Sequence, residues 1–148
     1  MRLAWGPDLI VGHQGVDQQH HALVHGIQGM QAKVAAGDSD AFGEALSSLA
    51  DAFVRHFADE EALMEASRYP DRPAHKGAHD LFLHDVMRMA NAAATRGLAA
   101  DVVAWVQGRL PEWFAFHVRT NDAPLARYLA QWAMRPGAED AGAKPKLV

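Results

Sequence analysis

Apolar residues recur along most of this chain at alternating intervals of three and four residues, as they do on one face of an α-helix. Four successive segments show this spacing, and no convincing stretch alternates apolar and polar residues one by one. The second segment carries the pattern without a break, at Phe42, Leu46, Leu49, Phe53, His56, Glu60 and Leu63. The pattern therefore predicts an all-α protein.

Capping residues set the limits of the predicted helices. Asp17 is the expected N-cap of the first helix, and Gly37 is the expected C-terminal stop. The remaining limits are a start in residues 38–40 and an end near Ala66 for the second helix, an end near Gly97 for the third, and a start near Asp101 for the fourth. Because the connections are short, we predict an antiparallel up-down-up-down four-helix bundle.

Two further elements flank the bundle. An extended N-terminal arm of about 16 residues can pack on it, and residues 124–134 predict a short C-terminal helix. The side chains available for these contacts are Trp5, Leu9, Ile10 and Val11 in the arm, and Leu125, Tyr128, Leu129 and Trp132 in the helix. We therefore assign residues 1–134 to one domain and predict a disordered tail over 135–148.

Composition narrows the possible partners. A chain of 148 residues with a formal net charge of −4 gives no reason to expect nucleic acid or an anionic membrane as partner. No apolar stretch approaches the roughly 18 residues that span a bilayer, and the N-terminus lacks a signal-peptide core. The absence of cysteine excludes disulfides and thiolate metal sites and fits a cytoplasmic protein. Nine histidines are the one unusual feature.

Six polar residues stand where the helical pattern calls for leucine: His20, His56, Glu60, His75, His79 and His117. Burying one unpaired polar group costs roughly 1–3 kcal/mol, and a carboxylate costs more. Six of them without partners would consume most of a domain's net stability of about 5–15 kcal/mol. A bound metal would satisfy them together.

Spacing separates candidate ligands from ordinary histidines. His75 and His79 share one helical face, as do His56 and Glu60, so each pair can reach a common metal. His117 followed by Asp122 is a weaker pair, because Asp122 is expected just beyond the helix end. The other four histidines are not interpreted as ligands. His21 and His25 are expected on a solvated helix face, and His13 and His84 are expected to have ordinary structural roles.

Ligand chemistry limits the metal. Five imidazoles and two carboxylates are too many donors for one tetrahedral zinc, and nitrogen donors disfavour magnesium and calcium. Seven donors fit two metals if the carboxylates and a solvent oxygen bridge them. The paired Glu-x-x-His motifs of ferritin-like di-iron proteins are missing from the sequence. If both metals are Fe²⁺, their four positive charges exceed the charges of two carboxylates and one hydroxide, so the core keeps a slight positive charge. Such a core favours reversible oxygen binding over oxygen cleavage.

These motifs resemble the hemerythrin family, specifically its bacterial single-domain members. The resemblance covers residues 5 to about 132, and all seven candidate ligands occur in order. The matching stretches are 5–8 (Trp-Gly-Pro-Asp), 16–20 (Val-Asp-Gln-Gln-His), 56–64 (His-Phe-Ala-Asp-Glu-Glu-Ala-Leu-Met), 69–70 (Tyr-Pro), 75–79 (His-Lys-Gly-Ala-His) and 113–122 (Trp-Phe-Ala-Phe-His-Val-Arg-Thr-Asn-Asp).

The resemblance implies a non-haem centre of two iron ions, Fe²⁺ or Fe³⁺, bridged by an oxo or hydroxo group, with dioxygen as ligand. His75, His79 and His117 would hold one iron, and His20 and His56 the other, which keeps an open position for dioxygen. Glu60 and Asp122 would bridge the irons. A dry pocket would be walled by Leu23, Phe57, Trp113, Phe114 and Val118, although plain core packing explains the same aromatic residues.

Two residues depart from the family pattern. Phe114 replaces the usual leucine and would narrow the oxygen pocket. Pro111 removes a hydrogen bond to Gln107 and should kink or split the fourth helix.

The sequence favours a dioxygen-binding protein (a carrier, store or sensor) over an enzyme, and we expect a monomer. The alternatives are a di-iron enzyme acting on peroxide or nitric oxide, and a purely structural metal bundle. Any redox or oxygen-consuming partner protein would be a separate chain that the sequence does not identify.

Overall fold

The computed structural model describes residues 1–138, and every regular element in that range is helical. Three long helices come first: α1 (Gln14–Ala36), α2 (Ser39–Ala66) and α3 (Arg72–Arg96). The fourth rod is built from α4 (Ala100–Ala104), α5 (Leu110–His117) and α6 (Ala123–Ala133). Two π-helical segments, Trp105–Arg109 and Val118–Asp122, join these three pieces end to end. The predicted all-α class is confirmed.

The four rods form a closed ring of neighbours. Helix α1 packs on α2, α2 on α3 and α3 on α4, and the first π-helical segment returns to α1. Only residues 37–38, 67–71 and 97–99 connect consecutive rods, so each rod runs antiparallel to the one before it. The predicted four-helix bundle is confirmed.

Of the predicted helix limits only the start of α1 is wrong, since α2 ends at Ala66, Gly97 follows the end of α3 and α4 begins at Ala100. Gly37 ends α1 in the left-handed region at φ 67°, and Asp38 caps α2 by accepting the N–H of Ala41 at 3.0 Å. The expected cap of α1 at Asp17 is wrong, because the helix begins at Gln14 and its cap lies four residues before Asp17. Its N-cap is His13, whose Nδ1 accepts the N–H of Val16 at 3.2 Å.

Asp17 instead fastens the N-terminal arm to the first turn of α1. Its two carboxylate oxygens accept the N–H groups of Val11 and Gly12 at 2.8 and 3.1 Å. Leu9 is buried, and Trp5 and Val11 pack against the core. Ile10 does not share this role, because 52% of it is exposed.

The interruption expected at Pro111 takes the form of the first π-helical segment. Leu110 donates its N–H to Trp105 five residues back, and Pro111 has no N–H for Val106 or Gln107. Other groups serve these two carbonyls. The side-chain amide of Gln31 donates to Val106 O at 3.4 Å, and the Met1 amino group donates to Gln107 O. The rod therefore continues past the proline.

The expected C-terminal helix is present as α6, but it continues the fourth rod instead of docking as a separate element. Leu125 and Leu129 are buried in it, and the Tyr128 hydroxyl donates to Ser67 O at 2.6 Å. Of the predicted tail, residues 139–148 lie outside the described residues, so the domain boundary at 134 stays a prediction. Within residues 1–138, no helix combines the length and apolar character needed to cross a bilayer.

Candidate metal centre

All four rods contribute to a single buried cluster in the middle of the bundle. Every member is at most 2% exposed. Helix α1 supplies His20, α2 supplies His56 and Glu60, α3 supplies His75 and His79, α5 supplies His117, and the second π-helical segment supplies Asp122. The structure therefore brings together all seven residues that the sequence selected.

The cluster divides into two overlapping sets, within each of which the candidate ligand atoms lie no more than 4.8 Å apart. One set is Glu60, His75, His79, His117 and Asp122, and the other is His20, His56, Glu60 and Asp122. Only the two carboxylates belong to both sets. The geometry thus provides two adjacent positions for metal ions with a shared carboxylate edge.

Each carboxylate turns one oxygen toward each set. Glu60 Oε1 lies 3.5 Å from His56 Nε2, whereas its Oε2 lies 3.1 Å from His79 Nε2. Asp122 Oδ2 lies 2.9 Å from His20 Nε2, whereas its Oδ1 lies 3.0 Å from His117 Nε2. This is the orientation that a bridging carboxylate requires.

The second π-helical segment explains how Asp122 reaches the cluster. In an α-helix, side chains three or four residues apart share a face, so a residue five positions after His117 would point elsewhere. The π-helical hydrogen bond from Ala123 N–H to Val118 O adds one residue to this turn. The wider turn places Asp122 below His117, and the expectation that it follows the helix end is wrong.

Hydrogen bonding within the protein leaves the cluster unsatisfied. No hydrogen bond reaches Nε2 of any of the five histidines or either oxygen of Glu60 and Asp122, although all are buried. Groups of this kind are paired or ligate metals in stable proteins. A donor set of imidazole nitrogens and carboxylate oxygens suits iron and neighbouring transition metals, so the residues fit a pair of such ions.

Burial and neighbouring charges divide the histidines by protonation. Desolvation lowers the pKa of His56 to about 3 and that of His79 to about 2, so both rings are neutral and offer a lone pair. Desolvation also opposes the charged form of His75, but the close contacts with the carboxylates of Asp122 and Glu60 raise its pKa to about 9. The Asp122 contact likewise outweighs desolvation and raises the pKa of His20.

The two carboxylates respond oppositely to the same surroundings. Desolvation and the charge of Asp122 raise the pKa of Glu60. Desolvation acts on Asp122 in the same direction, but the contacts with His117, His20 and His75 hold its pKa well below the usual value. Without a metal, the cluster therefore retains protons that a bound cation would displace.

In His56 and His79 the Nδ1 atom, which faces away from the cluster, contacts a residue that the sequence reasoning did not select. His56 Nδ1 lies 2.6 Å from Gln19 Oε1, and His79 Nδ1 lies 3.1 Å from Glu61 Oε1. Gln19 immediately precedes His20 and Glu61 immediately follows Glu60, and both lie inside the stretches that resemble the family. Both side chains leave the apolar stripe of their helices, which made them resemble solvated positions.

The five predicted pocket residues lie on different sides of the cluster. Phe57 stacks on His79 at a ring-centroid distance of 3.9 Å, and Trp113 stacks on His117 at 4.5 Å, so both wall the set with three histidines. Phe114 instead contacts His20 edge-on, with ring centroids 5.6 Å apart, so it borders the two-histidine set. Leu23 and Val118 are buried, and Leu23 lines a small cavity between α1 and α2 together with His56.

The remaining histidines lie away from the cluster, as expected. His21, His25 and His84 are exposed, and none of them belongs to either ligand set. His13 is also outside both sets, and it has a structural role as the N-cap of α1.

Comparison with known proteins agrees with this arrangement. Residues 11–129 match the model of the hemerythrin HHE cation binding domain. The chain is 33% identical over 121 residues to the bacteriohemerythrin of Pseudomonas aeruginosa strain LESB58, covering 82% of this chain and 77% of the relative. It is 30% identical over 124 residues to the bacteriohemerythrin of Stenotrophomonas maltophilia strain R551-3, covering 84% and 79%.

A more distant relative is the myohemerythrin of Theromyzon tessulatum, which is 27% identical over 80% of this chain and 86% of its own length. Among solved structures, a hemerythrin carrying a leucine-to-tyrosine mutation superposes with a TM-score of 0.77 at 22% identity, covering 88% of this chain and 99% of that one. This likeness supports the fold.

Proposed function

The chain belongs to the hemerythrin family, and from that premise we propose that it binds dioxygen reversibly at a non-haem di-iron centre. The observation that carries the proposal is the pair of shared carboxylates. Glu60 and Asp122 each direct one oxygen to a three-histidine set and the other to a two-histidine set. Such an arrangement suits two ions held side by side.

The unequal sets supply the open position. His75, His79 and His117 would complete the coordination of one iron, whereas His20 and His56 would leave the other iron one ligand short. When bound, the iron pair would supply the electrons that reversible dioxygen binding requires. The protein would hold the ions at a fixed separation and exclude water from the vacant side.

The surroundings of the two-histidine set support binding more than catalysis. Phe114 lies edge-on to His20 and is 1% exposed, and the buried Leu23 is three residues from His20 on α1. These walls are apolar, so they restrict water and offer no proton donor for cleaving the oxygen–oxygen bond. Five neutral imidazoles with two carboxylates also leave a ferrous pair with excess positive charge, which disfavours high-valent iron.

Repeated oxygenation tests this proposal. Iron-loaded protein, reduced without oxygen, should form a coloured adduct in oxygen and return to the ferrous state under argon over several cycles, without consuming reductant. His20→Ala should abolish the adduct, whereas His21→Ala, at the exposed neighbouring position, should leave it intact. Steady turnover of peroxide or nitric oxide without a stable adduct would favour an enzyme instead. One zinc per chain from iron-replete cells would contradict the di-iron centre.

A further inference from the structure

The imidazole of His56 is connected to the protein surface by two side chains. Gln19, on α1, places its Oε1 atom 2.6 Å from His56 Nδ1. The amide nitrogen of Gln19 donates to Asp59 Oδ2 on α2 at 2.8 Å. The chain of contacts crosses from one helix to the other and back, and it ends on a partly exposed carboxylate.

The direction of the two hydrogen bonds that link His56, Gln19 and Asp59 follows from the chemistry of Asp59. An ionised carboxylate can only accept hydrogen bonds, so the NH₂ group of Gln19 must face Asp59. The carbonyl oxygen of Gln19 then faces His56, and a carbonyl oxygen also can only accept. His56 Nδ1 must therefore carry the proton that bridges the 2.6 Å contact, which leaves Nε2 as the atom available to the cluster.

We propose that Gln19 and Asp59 are positioning residues that fix the tautomer and orientation of His56 for iron binding. The inference rests on the proposed di-iron centre for its functional meaning. The tautomer itself is a property of the protein without metal.

The partner of His79 shows what is distinctive about Gln19. His79 Nδ1 faces Glu61, a carboxylate, whereas His56 Nδ1 faces a neutral amide. A carboxylate partner raises the basicity of an imidazole ligand and favours the more highly charged metal ion. With an amide beside His56, an iron bound by the two-histidine set would be easier to hold in the ferrous state.

Nuclear magnetic resonance on metal-free protein tests the tautomer directly. Nitrogen-15 shifts of the His56 ring should show the proton on Nδ1 in the wild type. In Gln19→Leu the proton should move to Nε2, where Glu60 Oε1 lies 3.5 Å away as an alternative acceptor. Asp59→Leu should shift the same equilibrium partly. Gln18→Leu makes the same change at the preceding exposed position and should leave the wild-type spectrum.

Anaerobic Fe²⁺ binding against a competing chelator provides the second measurement. Gln19→Leu should bind one of its two Fe²⁺ ions about 10–100-fold more weakly than the wild type, because the outer partner of a ligand histidine contributes that much affinity. The second ion should bind with wild-type affinity, and Gln18→Leu should bind both normally.

A double variant distinguishes a positioning role of Gln19 from a packing role. It also provides the test if Gln19→Leu does not fold. Gln19→Glu combined with Asp59→Asn exchanges the carboxylate and the amide while keeping a donor and an acceptor at each contact. We expect it to restore Fe²⁺ affinity, lower the reduction potential and speed autoxidation, because His56 would then face a carboxylate. A merely structural role for Gln19 would leave the potential unchanged.

The proposal is overturned if Gln19→Leu keeps the His56 proton on Nδ1 and retains both ions with wild-type affinity. It is also overturned if the double variant has the wild-type potential. A protein that shows the expected tautomers but never forms an oxygen adduct would instead contradict the proposed function alone.

Discussion

His117 and Asp122 meet at 3.0 Å, from Nε2 to Oδ1, although Asp122 is five positions after His117 along one continuous helical rod. The contact exists because one turn of that rod is π-helical. A single extra residue in the turn thus brings a carboxylate into line with a histidine. The irregular turn changes the backbone only locally, and it supplies one of the two carboxylates that both sets share.

Removing one histidine of the three-histidine set should cost iron and stability together. His79→Ala should weaken metal binding and leave the oxygens of Glu60 without a compensating cation. Stability falls as well, because metal binding contributes to the folding free energy. We expect fewer than two irons per chain by elemental analysis and a lower midpoint of thermal unfolding. His84→Ala, at an exposed position on the same helix, should retain two irons. Full occupancy in His79→Ala would remove this residue from the proposed ligands.

Phe114 should control access to the open iron position. It is fully buried, and its ring lies 5.6 Å from that of His20 and 6.1 Å from that of Phe53. Phe114→Leu should enlarge the pocket, speed oxygen association and autoxidation, and cost about 1–2 kcal/mol of stability. Stopped-flow and autoxidation rates measure the effect, with Phe116→Leu as the control because 57% of Phe116 is exposed. Unchanged rates would show that Phe114 is ordinary core.

The metal-free protein should lose stability as the pH rises from about 6.5 to 9. The folded state raises the pKa of His75 from 6.5 to about 9, so the stabilisation is complete below the lower value and disappears through the upper one. The raised pKa of Glu60 acts in the same direction. His56 and His79 oppose this loss only at the lower end of the window, because their lowered pKa values keep both rings neutral when folded, whereas unfolded histidine loses its proton near pH 6.5.

Chemical denaturation at several pH values measures this loss, which we expect to be on the order of 2 kcal/mol. Iron-loaded protein is the control, since bound ions displace the protons concerned. A metal-free unfolding free energy that stays constant across this range would contradict the assigned shifts.

Gln31 should stabilise the segment around Pro111 without affecting iron. Its amide serves the Val106 carbonyl at 3.4 Å and the Met1 carbonyl at 2.9 Å, in a position that is 8% exposed. Gln31→Leu should lower the unfolding free energy by about 1 kcal/mol, because it leaves a buried acceptor unpaired. Gln28→Leu removes an arm contact alone, to Leu3 O, and should cost less. Equal losses in the two variants would assign the effect to the arm instead.

The helices and the buried polar cluster were predictable for the same reason. Alternating intervals of three and four define a buried face, and polar residues on that face, such as His56 and Glu60, are too costly to be accidental. The structure brings these histidines together because each of them follows the α-helical period of its own helix. The family resemblance then supplied the division of the ligands between two irons, which spacing alone does not give.

The features that escaped prediction depend on groups distant in sequence. The π-helical turns have no α-helical period, so Asp122 was expected beyond a helix end. The start of α1 was misplaced because Asp17 is a good capping residue that serves the arm instead. Gln19 acts through His56 on another helix, and nothing within its own helix distinguishes it from a solvated glutamine.

The stacking of Trp113 on His117, with ring centroids 4.5 Å apart and planes 13° from parallel, has an optical consequence. An excited indole in contact with an iron-bound imidazole loses its energy to the metal before it can emit light. The emission of Trp113 would thus be weaker in the loaded protein than in the empty one. Because the chain holds only four tryptophans, the recovery of one is large enough to follow iron loading and release in real time with no added dye.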